Sequence, residues 1–308
     1  MANTYAPPVP TLSGENYTAS YLLNNPRIIW RLLNTIAQQR LVGARLLTGR
    51  VDLTGSGAVV YQTQESIFAN DTSAIIGELE EYPLTDDTSA PPSLATSLKR
   101  GLAELVSLED VARNRLDVLQ RKLIKLANRV VIDHDAIVLS AIGSAVTATQ
   151  AAVGPWNGTG TTPNPFLDLL NAKAQIDELN LGYTADTVVV TPQNFAYLVN
   201  AMVKFDAVAA SDLPGLLQAN MVRAAGLNIW QTTNMPTGVT ALVADSTLLG
   251  SIGFERLGGG YNGDPSDPLG IESKTWMTEK NDGWRIQARK IAVPIVQEPG
   301  AAVKLTGN

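Results

Sequence analysis

The longest regular alternation of apolar and polar positions lies in the middle of the chain. Leu116, Leu119, Leu123, Leu126 and Val130 recur in steps of three and four, and neither glycine nor proline interrupts the stretch from Leu102 to Ile142. That spacing lines one face of an α-helix. Ser107-Leu108-Glu109-Asp110 supplies an N-cap serine and two acids in the first turn, where free N–H groups and the helix dipole favour them. The pattern predicts one helix from Ser107 to about Ala148, roughly 60 Å long. A compact domain of this size needs no such length, so the strut either spans two subdomains or belongs to a larger assembly.

On the N-terminal side, residues 1–24 show no sustained period and are expected as an extended arm. Asn25-Pro26 places a cap and an N1 proline before a short amphipathic helix over Arg27–Gln39, with Ile28, Ile29, Leu32, Leu33 and Ile36 as its stripe. Leu41–Leu47 is expected as a strand. Residues 51–98 read as strand, turn, strand and then polar, turn-rich chain with few large apolar side chains, too few for an independent core. A protruding hairpin ordered by a partner fits better than a linker. Thr96–Val106 predicts a strand leading into the long helix.

Gly154–Pro165 is rich in glycine and proline and marks the best internal boundary. Beyond it the pattern alternates between helix and strand. Pro165–Leu179 and Pro192–Met202 predict helices, and Thr187–Thr191, Leu227–Gln231 and Val239–Ala244 predict strands. Ile271–Glu279 and Trp284–Ile295 flank Asn281-Asp282-Gly283, a hairpin-turn signal. The tail Glu298–Asn308 is expected to be frayed or lightly attached. No internal repeat stands out.

Composition narrows the chemistry. The chain of 308 residues has no cysteine and a single histidine, His134, which excludes disulfides, thiolate zinc sites and multi-histidine metal sites. No cofactor is expected. No apolar run approaches the roughly eighteen residues that span a bilayer, and the N-terminus carries no signal-peptide pattern, so no membrane partner is expected. Asn16, Asn70 and Asn157 stand in chance glycosylation sequons. Charged residues make up 17% of the chain, below the usual quarter, which suits extensive surface buried against copies of itself and equally an ordinary alanine-rich enzyme.

The net charge of −6 is unevenly spread. Residues 1–50 carry five arginines and one acid, residues 51–98 eight acids and no base, and residues 99–129 eight bases and four acids. Opposite blocks of this kind suggest segments that dock on oppositely charged surfaces.

No catalytic constellation emerges. Gly258-Gly259-Gly260 lacks the spacing and context of a phosphate-cradling loop, and no nucleophile elbow is present. His134 sits in Asp133-His134-Asp135, beside the apolar seam of the long helix. Flanking carboxylates would raise its pKa, but neighbours at i±1 point to different sides of a helix, so a structural histidine is the expectation. The basic stripe of the long helix has no interleaved aromatic residue, which argues against a nucleic-acid groove.

The order of segments carries a resemblance. Lys99–Val111, Thr187–Leu198, Thr240–Arg256 and Trp284–Val296 follow one another as in the major capsid proteins of tailed bacteriophages with the HK97 fold, especially those of phages that infect actinobacteria. The resemblance implies an α+β fold. Its parts would be an N-terminal arm (1–50), an extended β-hairpin E-loop (51–98), a peripheral domain with the spine helix (99–155), an α/β axial domain (156–270), and a closing hairpin with a C-terminal strand returning to these sheets (271–308). It also implies a non-enzymatic shell of hexamers and pentamers in the virion, assembled in the host cytoplasm around double-stranded DNA held non-specifically. Its partners would be copies of itself, a portal, and scaffolding or decoration proteins. No scaffolding extension of about a hundred residues precedes the arm, so scaffolding is expected to be separate, removed or absent. An encapsulin-like nanocompartment is the alternative, and a cytoplasmic α/β enzyme a more distant one.

Some capsids of this fold cross-link through an E-loop lysine, but here the first lysine is Lys99. The charge blocks point instead to a non-covalent clasp. Glu78, Glu80, Glu81, Asp86 and Asp87 of one subunit are expected to approach Arg113, Arg121, Lys122 or Lys125 of the next.

Overall fold

The computed structural model describes residues 12–13, 16–63, 71–85, 91–157, 164–204, 222–224, 226–263, 267 and 270–307. In chain order the elements are a two-residue pair, β1 (Leu12–Ser13) and β2 (Asn16–Tyr17), then α1 (Ala19–Asn24), α2 (Pro26–Arg40), α3 (Gly43–Leu46), β3 (Gly49–Asp52), β4 (Ala58–Tyr61), β5 (Ser93–Thr96), β6 (Leu98–Ser107), α4 (Leu108–Ala112) and α5 (Leu116–Ala145). There follow β7 (Thr149–Ala151), α6 (Pro165–Asp177), β8 (Thr187–Val190), α7 (Pro192–Lys204), β9 (Val222–Ala224), β10 (Leu227–Gln231), β11 (Ala241–Ala244), β12 (Gly250–Phe254), β13 (Glu272–Thr278), β14 (Gly283–Val296) and β15 (Ala302–Thr306).

These elements form two compact units. The first comprises Met1–Gly57, Thr96–Leu139 and Ile252–Pro294, and the second Ala58–Ala95, Ser140–Ser251 and Ile295–Asn308. The division passes through β5, α5, β12 and β14.

In the first unit, strands in the order β13-β14-β12-β3, with β6 also paired to β14, make a five-stranded sheet. Its core is the seam read from the sequence. Leu119, Leu123, Leu126 and Val130 of α5 are buried in one cluster with Ile286 and Ala288 of β14. Ile29, Leu33 and Ala37 of α2 join the same cluster, and burying each large side chain contributes roughly 1.5–3 kcal/mol. The hairpin β13–β14 turns through Asp282 at φ 40°, a left-handed position that Asp tolerates.

The single long helix is interrupted. Ser107 caps α4 as expected, its hydroxyl accepting from the Asp110 amide at 3.2 Å. The chain then breaks at Asn114, which adopts φ 51° and whose Oδ1 accepts from the Ala19 amide at 2.7 Å. The remaining helix, α5, has 30 residues and is about 45 Å long. The same bond anchors α1, so residues 19–24 are helical rather than part of an extended arm. Thr18 caps α1, and Leu22 and Leu23 are buried.

Two further expectations fail for long-range reasons. Leu41–Leu47 holds the short helix α3 rather than a strand, because the Asp135 carboxylate accepts from the Val42 and Gly43 amides at 3.0 Å each. Strands β3 and β4 follow each other but do not pair: β3 joins β12, and β4 joins β5.

The second unit is built on a mixed six-stranded sheet, β7-β15-β11-β8-β10-β9. The pairs β8·β10 and β7·β15 are parallel and the remaining pairs antiparallel. All four residues of β8 and of β11 are buried. Helix α6 starts at Pro165 with an Asn164 cap, and its fully buried Asp168 accepts from Trp156 Nε1 at 2.9 Å and the Val153 amide at 3.1 Å.

The tail is not frayed. Strand β15 lies between β7 and β11 with Ala302, Val303 and Leu305 buried. Deletion of residues 299–308 should therefore abolish a folded second unit, read as loss of soluble protein and of protease resistance. A truncated chain that melts within a few degrees of the intact one would refute this.

Candidate functional site

Among the described residues no group of three or more His, Asp or Glu side chains is placed to hold a metal ion. Among the described residues no helix is long and apolar enough to cross a membrane. The features that invite a partner are surfaces.

The first is the segment between β4 and β5. Ile75, Leu79 and Leu84 are 102%, 108% and 93% exposed, and Tyr82 is also exposed. No regular element spans residues 71–85. Glu80 is used locally, its carboxylate accepting from the Gly77 amide at 2.7 Å, and Glu78 and Glu81 are exposed. Asp86 and Asp87 lie outside the described residues. An exposed apolar stretch interleaved with carboxylates is costly in water unless another surface covers it.

The second is the basic side of α5. Arg121 pairs with Asp117 at 2.8 Å and Arg129 with Asp133 at 3.0 Å, while Arg115 reaches back to Asp110 at 3.3 Å. Lys122 donates to the Leu105 carbonyl of β6. Arg113 stands at the break before α5, and neither it nor Lys125 forms an ion pair among the described residues. Thus Arg121 and Lys122 already have partners within their own subunit.

The third surface is a pocket of about 280 Å³ in the first unit, between β6, α5 and β14. Leu98, Arg100 and Leu102 of β6 line one side, and Val130, His134 and Ile137 of α5 line the other, with Lys290 of β14 also in the wall. The α5 residues follow a helical face at i, i+4 and i+7. Five consecutive β6 residues, 98–102, contribute to the wall.

His134 and Lys290 are only 7% and 6% exposed. Burial holds the His134 pKa well below the usual histidine value, and the positive charges of Lys290 and Arg50 push it the same way. This is opposite to the direction expected from Asp133 and Asp135. Asp135 turns away to cap α3, and Asp133 pairs with Arg129. The imidazole is therefore neutral at pH 7, and its Nε2 is buried without a hydrogen-bond partner among the described residues. Burial likewise lowers Lys290 to about 8, against the attraction of Asp135 and Asp267. Burial raises Asp135, opposed by the two amides that it accepts.

Reading the sequence missed Lys290. Alternation along Trp284–Ala292 carries the signal, because Ile286 and Ala288 face the core and Lys290 continues their parity. It also missed Arg289, on the opposite face, which pairs with Glu272 at 2.7 Å and stacks 3.5 Å from the Tyr261 ring centre.

The comparisons with known proteins point one way. A family described as phage capsid protein matches residues 91–305. Among solved structures, the chain is similar to the capsid of the cyanophage P-SCSP1u at a TM-score of 0.58 and 13% identity, covering 87% of this chain and 88% of that one. It is similar to a chain of Microbacterium phage Oxtober96 at 0.59 and 9% identity, covering 87% and 91%. A virus-like particle from Pyrococcus furiosus gives 0.54 and 13% identity, covering 90% and 97%. No curated relative matches.

Because His134 is the chain's single histidine, the pocket makes a pH prediction. A folded pKa below the unfolded one means that the unfolded chain binds the extra proton, so stability is present above about 6.5 and falls as pH drops below it. The slope is limited to about 1.4 kcal/mol per pH unit for one proton. Thermal unfolding should lose more between pH 7 and pH 5 in the wild type than in His134→Leu. Equal losses would place the titration elsewhere.

Proposed function

We propose that this chain, which belongs to the phage capsid protein family and has its HK97-like fold, builds an icosahedral shell of hexamers and pentamers around double-stranded DNA. The capsid role itself follows from the family, which consists of structural proteins rather than enzymes. The observation that carries the finer reading is the uncovered segment 71–85, whose apolar side chains face solvent in the isolated chain. A neighbouring copy, repeated around a closed shell, covers that segment in every subunit.

In this reading residues 1–50 act as the N-terminal arm and residues 51–98 as the E-loop. Residues 99–155 form the peripheral domain, 156–270 the axial domain, and 271–308 the closing hairpin and C-terminal strand. The shell assembles in the host cytoplasm, contacts DNA without sequence preference, and works with a portal and with scaffolding or decoration proteins. Likeness to the virus-like particle from Pyrococcus furiosus favours one second reading, an encapsulin-like compartment that encloses protein cargo. Electron microscopy of the purified particle separates the two by size and by the presence of packed DNA. A chain that stays monomeric would refute both.

Loop-to-helix charge pairing supplies the proposed clasp, with Glu78, Glu80, Glu81, Asp86 and Asp87 facing Arg113, Arg121, Lys122 and Lys125 of the neighbour. Each exposed pair contributes roughly 0–1 kcal/mol, so the effect rests on repetition. Replacing Glu80 and Glu81 by Lys should lower particle yield, with partial recovery when Arg121 and Lys122 are replaced by Glu. Undiminished yield from the loop variant alone would remove the clasp.

The loop from 51 to 98 holds no lysine, so its contacts are non-covalent. Particles boiled in dodecyl sulfate should run as a single band of monomer mass, 32.8 kDa. A ladder of covalent multiples would contradict this.

A further inference from the structure

Strand register in the first unit puts two like charges side by side. Along the β6–β14 ladder Leu98 stands opposite Ala292, Arg100 opposite Lys290 and Leu102 opposite Ala288. Alternate residues share one face of a strand, so the two cations lie in the middle of an apolar frame. Directly opposed side chains have Cβ atoms about 4.5–5.5 Å apart, and like charges placed so are destabilising. All of these residues except Ala288 line the pocket beside α5, and Lys99 adds a third positive charge to its wall.

No acid in the pocket offsets that charge. Asp133 is paired with Arg129. Asp135 and Asp267 attract Lys290, but neither lines the pocket. Arg100 forms no ion pair among the described residues. From α5, His134 brings to the wall an imidazole whose Nε2 is buried with no hydrogen-bond partner among the described residues. A buried polar atom left in that state carries its full desolvation penalty.

The rest of the wall is apolar: Leu98, Leu102, Val130, Ile137 and Ala292. Leu98 and Leu102 are exposed whereas His134 and Lys290 are buried, so apolar side chains stand at the mouth and polar groups lie deeper. This order selects the ligand. A bare inorganic anion answers the cations but leaves the apolar wall in water. A hydrocarbon covers the wall but leaves the cations and Nε2 as they are. An organic carboxylate with a short apolar body does both. Its oxygens accept from Arg100, Lys290 and the His134 N–H, which a neutral imidazole can carry on Nε2. The volume of about 280 Å³ stands at the small end of the range of about 300–1,000 Å³ for small-molecule sites, which suits a single short chain.

We propose that this pocket binds a small amphipathic carboxylate of the medium-chain fatty acid class. The head group lies between Arg100, Lys290 and His134, and the tail runs toward the mouth at Leu98 and Leu102. Bound there, the ligand ties β6 and β14 to α5 across the like-charge pair. The site belongs to the single chain and does not depend on the shell reading.

The probe is octanoate, titrated calorimetrically into the full-length chain, with acetate and octylammonium alongside. Octanoate should bind in a one-to-one ratio and raise the unfolding midpoint. Acetate, lacking the apolar body, should bind about a hundredfold more weakly, and octylammonium should not bind. Arg100→Gln removes one charged partner and should weaken octanoate about tenfold. Leu102→Trp fills the mouth and should abolish binding. Both positions are exposed, and both variants are first shown to unfold close to the wild-type midpoint. Val153→Trp, at an exposed site in the second unit, should leave binding unchanged. His134 is the chain's single histidine, so its imidazole NMR signal should shift saturably with octanoate. Absence of binding overturns the site. So does equal binding of octanoate and octylammonium, an unmoved imidazole signal, or octanoate binding that survives both pocket variants, since each marks adsorption to exposed apolar surface.

Discussion

Burial of one face of α5 is the interaction on which the first unit depends. Leu119, Leu123, Leu126 and Val130 meet β14 through Ile286 and Ala288 and meet α2 through Ile29 and Leu33, in a single cluster. Everything else in that unit is arranged around this seam. The C-terminal continuation of the same helix carries His134 and Asp135, whose side chains serve the floor of the pocket and the cap of α3. Gly43 completes the fit: a Cβ there would lie 2.8 Å from Val138 Cγ1, so the α3 backbone lies directly against the helix. A change of one methyl group at this contact would displace both the helix and the turn that Asp135 caps.

Much of this was legible because it is local. The seam follows from spacing, α2 from Asn25-Pro26 and its stripe, the β13–β14 turn from Asn281-Asp282-Gly283, and β8 and β11 from short apolar runs. What the sequence concealed depends on residues far apart along the chain. Asn114 breaks the helix while bonding to Ala19, 95 positions away. Asp135 makes α3 helical from 92 positions away. Strand β15 appeared as a loose tail because nothing local ties it to its partners, and one of them, β7, is only three residues long and carries little signal alone. Among the candidate site residues, the acidic segment was visible in composition. The local engagement of Arg121, Lys122 and Glu80 was not, since ion pairs and turn bonds at short range look the same as free charges in a sequence.

That engagement changes which force should organise assembly. A guanidinium already 2.8 Å from Asp117 must exchange one carboxylate for another when a neighbour arrives, and the net gain is smaller than for an unpaired charge. Exposed pairs of this type then contribute near the bottom of the roughly 0–1 kcal/mol range, and salt screens them further. In the proposed clasp, charge is better suited to steering the acidic loop toward α5 than to holding it there.

In the proposed contact the apolar side chains add to the charge pairs. Ile75, Leu79, Tyr82 and Leu84 are each exposed in the isolated chain, and covering a large apolar side chain fully is worth roughly 1.5–3 kcal/mol. Ordering ten residues costs about 10–20 kcal/mol in backbone entropy, more than the roughly 6–12 kcal/mol that covering four such side chains returns, so these side chains alone do not hold the loop on one neighbour.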